Sequence, residues 1–236
     1  MKKFAALDID GTLVRWQLYH AVVDKLSKNG AIHEDRFSLL QEARMKWKQR
    51  KSTNEFKNYE KLLIKTFEDS LQEVSTSKFD KAIDEVFDQY SDQVYTYTRN
   101  LINDLKFDKY FLIAISGSHQ ELIDKIADKF GFDSYVGTQY HRQNGKFTGN
   151  KTLGSRDKKA KLQAIVKEND LMYDDSFAVG DSLSDSGMLE IVENPIAFNP
   201  DKELYEKAVA NSWKIVIERK NVIYQLTDNG DGYVLA

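Results

Sequence analysis

Apolar residues in this chain fall into two kinds of pattern. In one, short runs stand between turn-forming residues: KKFAALDI (2–9), KYFLIAIS (109–116), DSFAVG (175–180), NPIAF (194–198) and WKIVIE (213–218). Runs of that length and setting predict buried strands. In the other, apolar positions recur at helical spacing among polar ones, over 119–131, 156–169, 184–192 and 201–211. Alternating strands and helices predict an α/β fold, a parallel sheet covered on both faces. In such folds the site lies beyond the carboxyl ends of the strands.

The interval from about 15 to 95 breaks the alternation. It holds no strand-like run, both prolines of the chain lie elsewhere, and aromatics recur at helical spacing. FSLLQEARMKW sets Phe37, Leu40 and Trp47 on one stripe, and FKNYEKLLIKTF does the same with Phe56, Leu63 and Phe67. These features predict packed helices inserted after the first strand, a lobe able to cover a site. The expected division is a core of 1–14 and 96–236 with an all-helical insert of 15–95. YHRQNGKFTGN (140–150) predicts a small hairpin that turns at Asn144-Gly145.

Composition narrows the function. Of 236 residues, 41% are hydrophobic and 30% charged, which fits a globular chain rather than a disordered one. A net charge of -3 provides no general attraction to nucleic acid or to an anionic membrane. The absence of cysteine excludes disulfides and thiolate metal sites. No stretch approaches the roughly 18 apolar residues of a membrane span, and the N-terminus is too short in apolar residues for a signal peptide. A cytoplasmic protein is expected, and nothing in the pattern specifies an oligomeric state.

Chemistry-bearing residues collect at the strand ends. Asp8 and Asp10 follow the first strand, two apart, so both can point into one site. Ser116 and Gly117 close the second, where a hydroxyl and exposed amides ahead of a helix suit phosphate. Lys158 stands near a helix start, and Asp181 and Asp185 follow a further strand in VGDSLSD. Oxygen ligands without His or Cys suit Mg2+. An aspartate among them can attack phosphorus, with positioning and charge neutralisation from the rest.

DIDGTL, SGS, Lys158 and GDSLSD, in that order, resemble the motifs of the haloacid dehalogenase superfamily, in particular its phosphoserine-phosphatase-like subfamily IB. The resemblance covers roughly 2–14 and 95–226, with the helical insert similar in position and type. It implies a Rossmann-like three-layer core with a helical cap, and a Mg2+-dependent phosphatase acting on a small phosphorylated metabolite. Asp8 would be nucleophile and metal ligand, and Asp10 the acid–base, with its carbonyl on the metal. Ser116, Gly117 and Lys158 would hold the phosphoryl oxygens, and Lys158 would also orient Asp8. Asp181 would ligate Mg2+, with Asp185 and Thr12 in support. A phosphotransferase or mutase would use the same aspartyl-phosphate. Phosphoserine phosphatases carry an acid about nine positions after the nucleophile, where this chain has Gln17. L-phosphoserine is therefore not the expected substrate.

Other residues carry two readings. Arg15, Gln17 and His119 are candidates for substrate selection, although His119 could equally be a surface residue at a helix start. His20 stands with Arg15 as a residue near the cap entrance. The basic run Arg44, Lys46, Lys48, Arg50 and Lys51 reads as a solvated helix face, or as an anion-selecting one. Phe37, Trp47 and Phe56 read as cap core rather than an aromatic wall. GKFTGNKT (145–152) falls short of a phosphate-binding loop, with Asn150 in place of its second glycine.

Overall fold

The computed structural model describes residues 2–49, 52, 55–230 and 232–235. Its strands are β1 Lys2–Leu7, β2 Phe111–His119, β3 Ser134–Gln143, β4 Lys146–Thr152, β5 Leu171–Gly180, β6 Asn194–Phe198, β7 Lys214–Arg219, β8 Val222–Asp228 and β9 Tyr233–Leu235. Its helices are α1 Leu18–Lys28, α2 Glu34–Lys48, α3 Glu55–Ser70, α4 Thr76–Tyr90, α5 Thr96–Phe107, α6 Gln120–Phe130, α7 Lys158–Glu168, α8 Ser186–Leu189 and α9 Lys202–Ala210. The chain forms two compact units, 1–17 with 90–138 and 153–236, and 18–89 with 139–152.

The first unit is built on a sheet in which β3, β2, β1, β5, β6 and β7 run parallel and β8 and β9 add antiparallel strands. Alternation along β1 sorts its side chains between two covered faces. Phe4 and Ala6 join Ile113 and Ile115 in a core with Leu162 and Ile165 of α7, Met188 of α8 and Leu204 of α9. Ala5, Leu7, Leu112 and Ala114 point the other way and are also fully buried, on the side where period-2 alternation sends them. α5 and α6 pack against β2. Helices on both faces explain why these strands read as unbroken apolar runs.

Two parts of the sheet differ from the sequence expectation. The first five residues of β3, Ser134 to Thr138, pair in parallel with β2, where only the later hairpin was expected. β8 is exposed along nearly its whole length, so it has no one-sided hydrophobic signal. Asn144-Gly145 is the hairpin turn, both with positive φ (52° and 74°). The near-match to a phosphate-binding loop thus runs along β4, and the next helix begins only at Lys158.

The second unit joins α1 to α3 and most of α4 to that hairpin, so it is not all-helical and is not confined to 15–95. Tyr140 and Phe147 of the hairpin make edge contacts with Phe67 (5.1 Å) and Phe79 (5.2 Å). Arg142 lies over both Phe79 and Phe147 and pairs with Asp80 at 2.7 Å. Residues 15–17 and 90–95 belong instead to the first unit, where backbone bonds join Arg15 N to Gln93 O and Tyr95 N to Leu13 O. Among the described residues, no helix is long and apolar enough to cross a membrane.

Of the basic run, Arg44 is turned inward, making bonds of 2.8 and 2.7 Å to Asp24 and two more to the Tyr59 hydroxyl. Lys46 and Lys48 are exposed, while Arg50 and Lys51 lie outside the described residues. Trp47 and Phe56 are half-buried around Tyr59, with Trp47 stacked on it at 5.6 Å. Phe37 is half-buried as well. His20, edge-on to Tyr59 at 5.1 Å, is buried. Burial, helped by Arg44, pushes its imidazole down to about 3.

A folded state that refuses a proton the unfolded chain accepts loses stability as pH falls through the unfolded value. With 6.5 for the free group and about 3 in the fold, His20 is expected to cost about 2 kcal/mol between pH 7.5 and pH 5. Urea unfolding at the two pH values should show His20→Phe losing less stability on acidification than wild type, by about that amount. Equal losses would contradict the burial argument.

Candidate active site

The site grows from the end of β1. Asp8 continues the parallel pairing, its N–H donating to Val179 O at 3.0 Å. The chain then turns sharply, with Leu13 and Val14 N–H both donating to Ile9 O. Gly11 makes the turn possible twice over. Its φ is +82°, a region side chains disfavour, and a Cβ there would lie 2.2 Å from an Asp181 carboxylate oxygen. Thr12, fully buried, accepts a bond from Thr98 through its carbonyl, and its hydroxyl faces Asp181 at 3.5 Å.

Lys158 arrives from the opposite direction as the first residue of α7. Asp157 caps that helix, its carboxylate accepting from Ala160 N at 3.0 Å. The loop ahead of it is pressed against β2, since a Cβ at Gly154 would lie 2.1 Å from Ser116 O. The Lys158 ammonium donates to Asp8 Oδ1 and Asp185 Oδ1, each at 2.6 Å, and its side chain is 2% exposed. Asp185 Oδ2 accepts from the N–H groups of Asp181 and Ser182 and from the Ser182 hydroxyl. Carboxylate oxygens of Asp8, Asp181 and Asp185 lie within 4.8 Å of one another.

The electrostatics follow from crowding. Burial lifts Asp8 to about 7, with Asp185 and Asp10 adding to the rise and Lys158 opposing it. Burial, then Asp8 and Asp185, hold Asp181 well above the usual carboxylate range. Burial alone would depress Lys158, yet Asp185 and Asp8 outweigh it and hold the ammonium above its ordinary value.

The Asp10 carboxylate takes a different direction. Its oxygens accept from the Ser116 hydroxyl at 2.7 Å and the Ser118 hydroxyl at 2.9 Å. Ser116 is fully buried, and Gly117 O accepts from Thr138 Oγ1, which fixes the strand end. Sequence reasoning gave Ser118 no role, although its hydroxyl stands two residues after Ser116 and so on the same side of an extended strand.

The three candidates for selection fare differently. Arg15 donates to Glu218 at 3.0 Å and to Lys220 O, and lies over Tyr95, so its guanidinium is committed within the first unit. Glu218 also accepts from the N–H groups of Thr96 and Tyr97 at the start of α5. Gln17 stays beside the first loop, its amide nitrogen 3.4 Å from where a Gly11 Cβ would stand. His119 is fully buried and still pairs with Thr138 at the strand end, which overturns a surface position.

A fixed carboxylate, a buried cation beside it and a second carboxylate gripped by hydroxyls can together support transfer of a phosphoryl group. The model of the haloacid dehalogenase-like hydrolases matches residues 5–190, and the chain belongs to that family. Within it the chain groups with phosphatases, enzymes that hydrolyse phosphoric monoesters. It is 26% identical over 224 residues to a phosphoserine phosphatase of Methanocaldococcus jannaschii, covering 94% of each chain. It is 27% identical over 111 residues to a histidinol-phosphatase of Neisseria meningitidis, spanning 44% of this chain and 50% of that one. In fold it is similar to a Bordetella pertussis protein of unknown function (TM-score 0.72, 18% identity, 92% of this chain and 99% of that one). It is similar too to a phosphoserine phosphatase carrying a phospho-aspartyl intermediate analogue (TM-score 0.64, 24% identity, 93% and 95%).

Removing the cation of a buried cluster leaves its carboxylates uncompensated, at a cost of about 3–5 kcal/mol. Lys158→Met should therefore unfold at markedly lower urea at pH 8. The loss should shrink at pH 5, because carboxyls pushed up in the fold bind protons there and lose stability as pH rises. A variant equally weakened at both pH values would contradict this account.

Proposed function

We propose that the protein is a Mg2+-dependent phosphatase that hydrolyses a small phosphorylated metabolite through an aspartyl-phosphate on Asp8. The observation that carries this reading is the buried Lys158 ammonium between Asp8 and Asp185, 2.6 Å from each, with Asp181 alongside. A carboxylate oxygen of Asp8 bonds to phosphorus, the bond to the leaving oxygen breaks, and Asp10 gives that oxygen a proton. Water then attacks phosphorus as Asp10 takes its proton, releasing the Asp8 carboxylate and inorganic phosphate. Ser116, the Gly117 amide and Lys158 take the phosphoryl oxygens.

Carboxylate oxygens of Asp8, Asp181 and Asp185 within 4.8 Å of one another make an all-oxygen cluster that suits a hard divalent cation. Asp8, Asp181 and the Asp10 carbonyl are assigned as its ligands. Asp185, whose oxygens already accept from Lys158 and two backbone N–H groups, orients rather than ligates. When bound, the ion offsets charge on the phosphoryl oxygens.

The helical unit is assigned as a cap that selects substrate. Gln17 replaces the acid that would meet an amino group in phosphoserine phosphatases, so L-phosphoserine is not the proposed substrate. Arg15, held by Glu218, is not proposed as a selector.

Phosphate release from p-nitrophenyl phosphate and a metabolite panel including phosphoserine and histidinol phosphate tests the reading. Activity should require Mg2+ and vanish with chelator. Asp8→Asn should be inactive, and Asp10→Asn should lose about 10²- to 10⁴-fold on alkyl esters. Full activity in either variant would refute the roles given. Phosphorylated product from added alcohols, in place of free phosphate, would favour a phosphotransferase.

A further inference from the structure

Ser118 has no task in the reaction above, yet its hydroxyl points at a group that does. It is buried at the end of β2, and its Oγ donates to Asp10 Oδ1 at 2.9 Å. Ser116 Oγ donates to the other oxygen, Oδ2, at 2.7 Å, and itself accepts from Ser118 N–H at 2.9 Å. One strand end thus grips both oxygens of Asp10.

The two grips are not equivalent. A serine hydroxyl has one proton to donate. If Ser116 turns that proton to a phosphoryl oxygen, it gives up Asp10 Oδ2. No phosphoryl oxygen is assigned to Ser118, whose hydroxyl is therefore able to keep Oδ1. The released oxygen is then Oδ2, the one on the side of Ser116, the residue assigned to the phosphoryl group.

We infer that Ser118 is a positioning residue for the acid–base step. It holds Asp10 by Oδ1 while Ser116 passes to the substrate, so that Oδ2 faces the leaving-group oxygen. The inference rests on the phosphatase reading above. The proton moves from Oδ2 to the leaving oxygen as the Asp8–phosphorus bond forms and the ester bond breaks. A misdirected carboxyl loses catalysis steeply, since displacements near 1 Å cost up to about 10²-fold.

Leaving-group dependence separates this from a merely structural hydroxyl. An alkyl phosphate needs a proton on its departing oxygen, whereas p-nitrophenolate leaves without one. The comparison uses kcat/KM, which covers steps only through phosphorylation of Asp8 and so omits the later hydrolysis. Ser118→Ala should lower kcat/KM for the best alkyl phosphate of the panel about 10- to 100-fold, and for p-nitrophenyl phosphate less than about threefold. Ser118→Thr, which keeps the hydroxyl, should restore the alkyl activity. If Ser118→Ala does not fold, the near-isosteric and weakly donating Ser118→Cys should show the same preference. Equal losses on both substrates, or no loss on either, would overturn the inference while leaving the phosphatase reading intact. A wild-type protein that releases phosphate from neither substrate would overturn both.

Discussion

The Lys158 ammonium, bonded to Asp8 and Asp185 with almost no water at its side chain, is the interaction on which the site depends. A buried charge of either sign is costly alone, and here each is tolerable only because the others are present. Asp185 extends the network by using its second oxygen on the N–H groups of Asp181 and Ser182. The end of β1, the start of α7 and the loop after β5 are therefore fixed by one set of charges. Sheet order completes the site, because β1 lies between β2 and β5. The central strand supplies Asp8 and Asp10, its neighbour on one side supplies the serines, and the other supplies Asp181 and Asp185.

Much of this was legible in the sequence, for definite reasons. The parallel strands are covered on both faces, so their apolar runs stand out against polar helices. Asp8, Asp10, Ser116, Lys158, Asp181 and Asp185 come at strand ends or helix starts because the topology brings those points together. Alternation in a strand led to Asp8 and Asp10 sharing one direction. In the fold β1 stops at Leu7, and the two carboxylates turn to different partners, Lys158 for one and the serines for the other. That difference is a tertiary fact, set by where the turn at Gly11 is allowed.

What escaped the sequence had no local signal. β8 is exposed on both sides and β3 begins with the mixed run SYVG, so neither stands out as a core strand. The hairpin was visible from Asn144-Gly145, but its place with the helices rests on Tyr140 and Phe147 meeting Phe67 and Phe79. Arg15 was a candidate for substrate selection because its partner, Glu218, is 203 residues away and leaves no local signal. His119 could be read as a substrate contact or as a surface histidine, because burial of a polar ring leaves no trace in periodicity.

Charge balance supplies the remaining argument about order of binding. Among the described residues, the carboxylates of Asp8, Asp181 and Asp185 gather around the Lys158 ammonium, and Asp10, turned to the serines, still adds its charge to theirs. Fully ionised, such a site is strongly negative and would repel a phosphate dianion. Two physical routes lower that charge. Protonation is one, and the rise of Asp8 to about 7 and of Asp181 well above its usual range reflects the pressure toward it. It would defeat the proposed reaction, in which an ionised Asp8 attacks phosphorus. A dication held by oxygens is the other, since it removes the repulsion and keeps Asp8 ionised at once. The proposed chemistry therefore favours metal before substrate: the cluster able to hold the ion is the same one whose charge would otherwise exclude the ester.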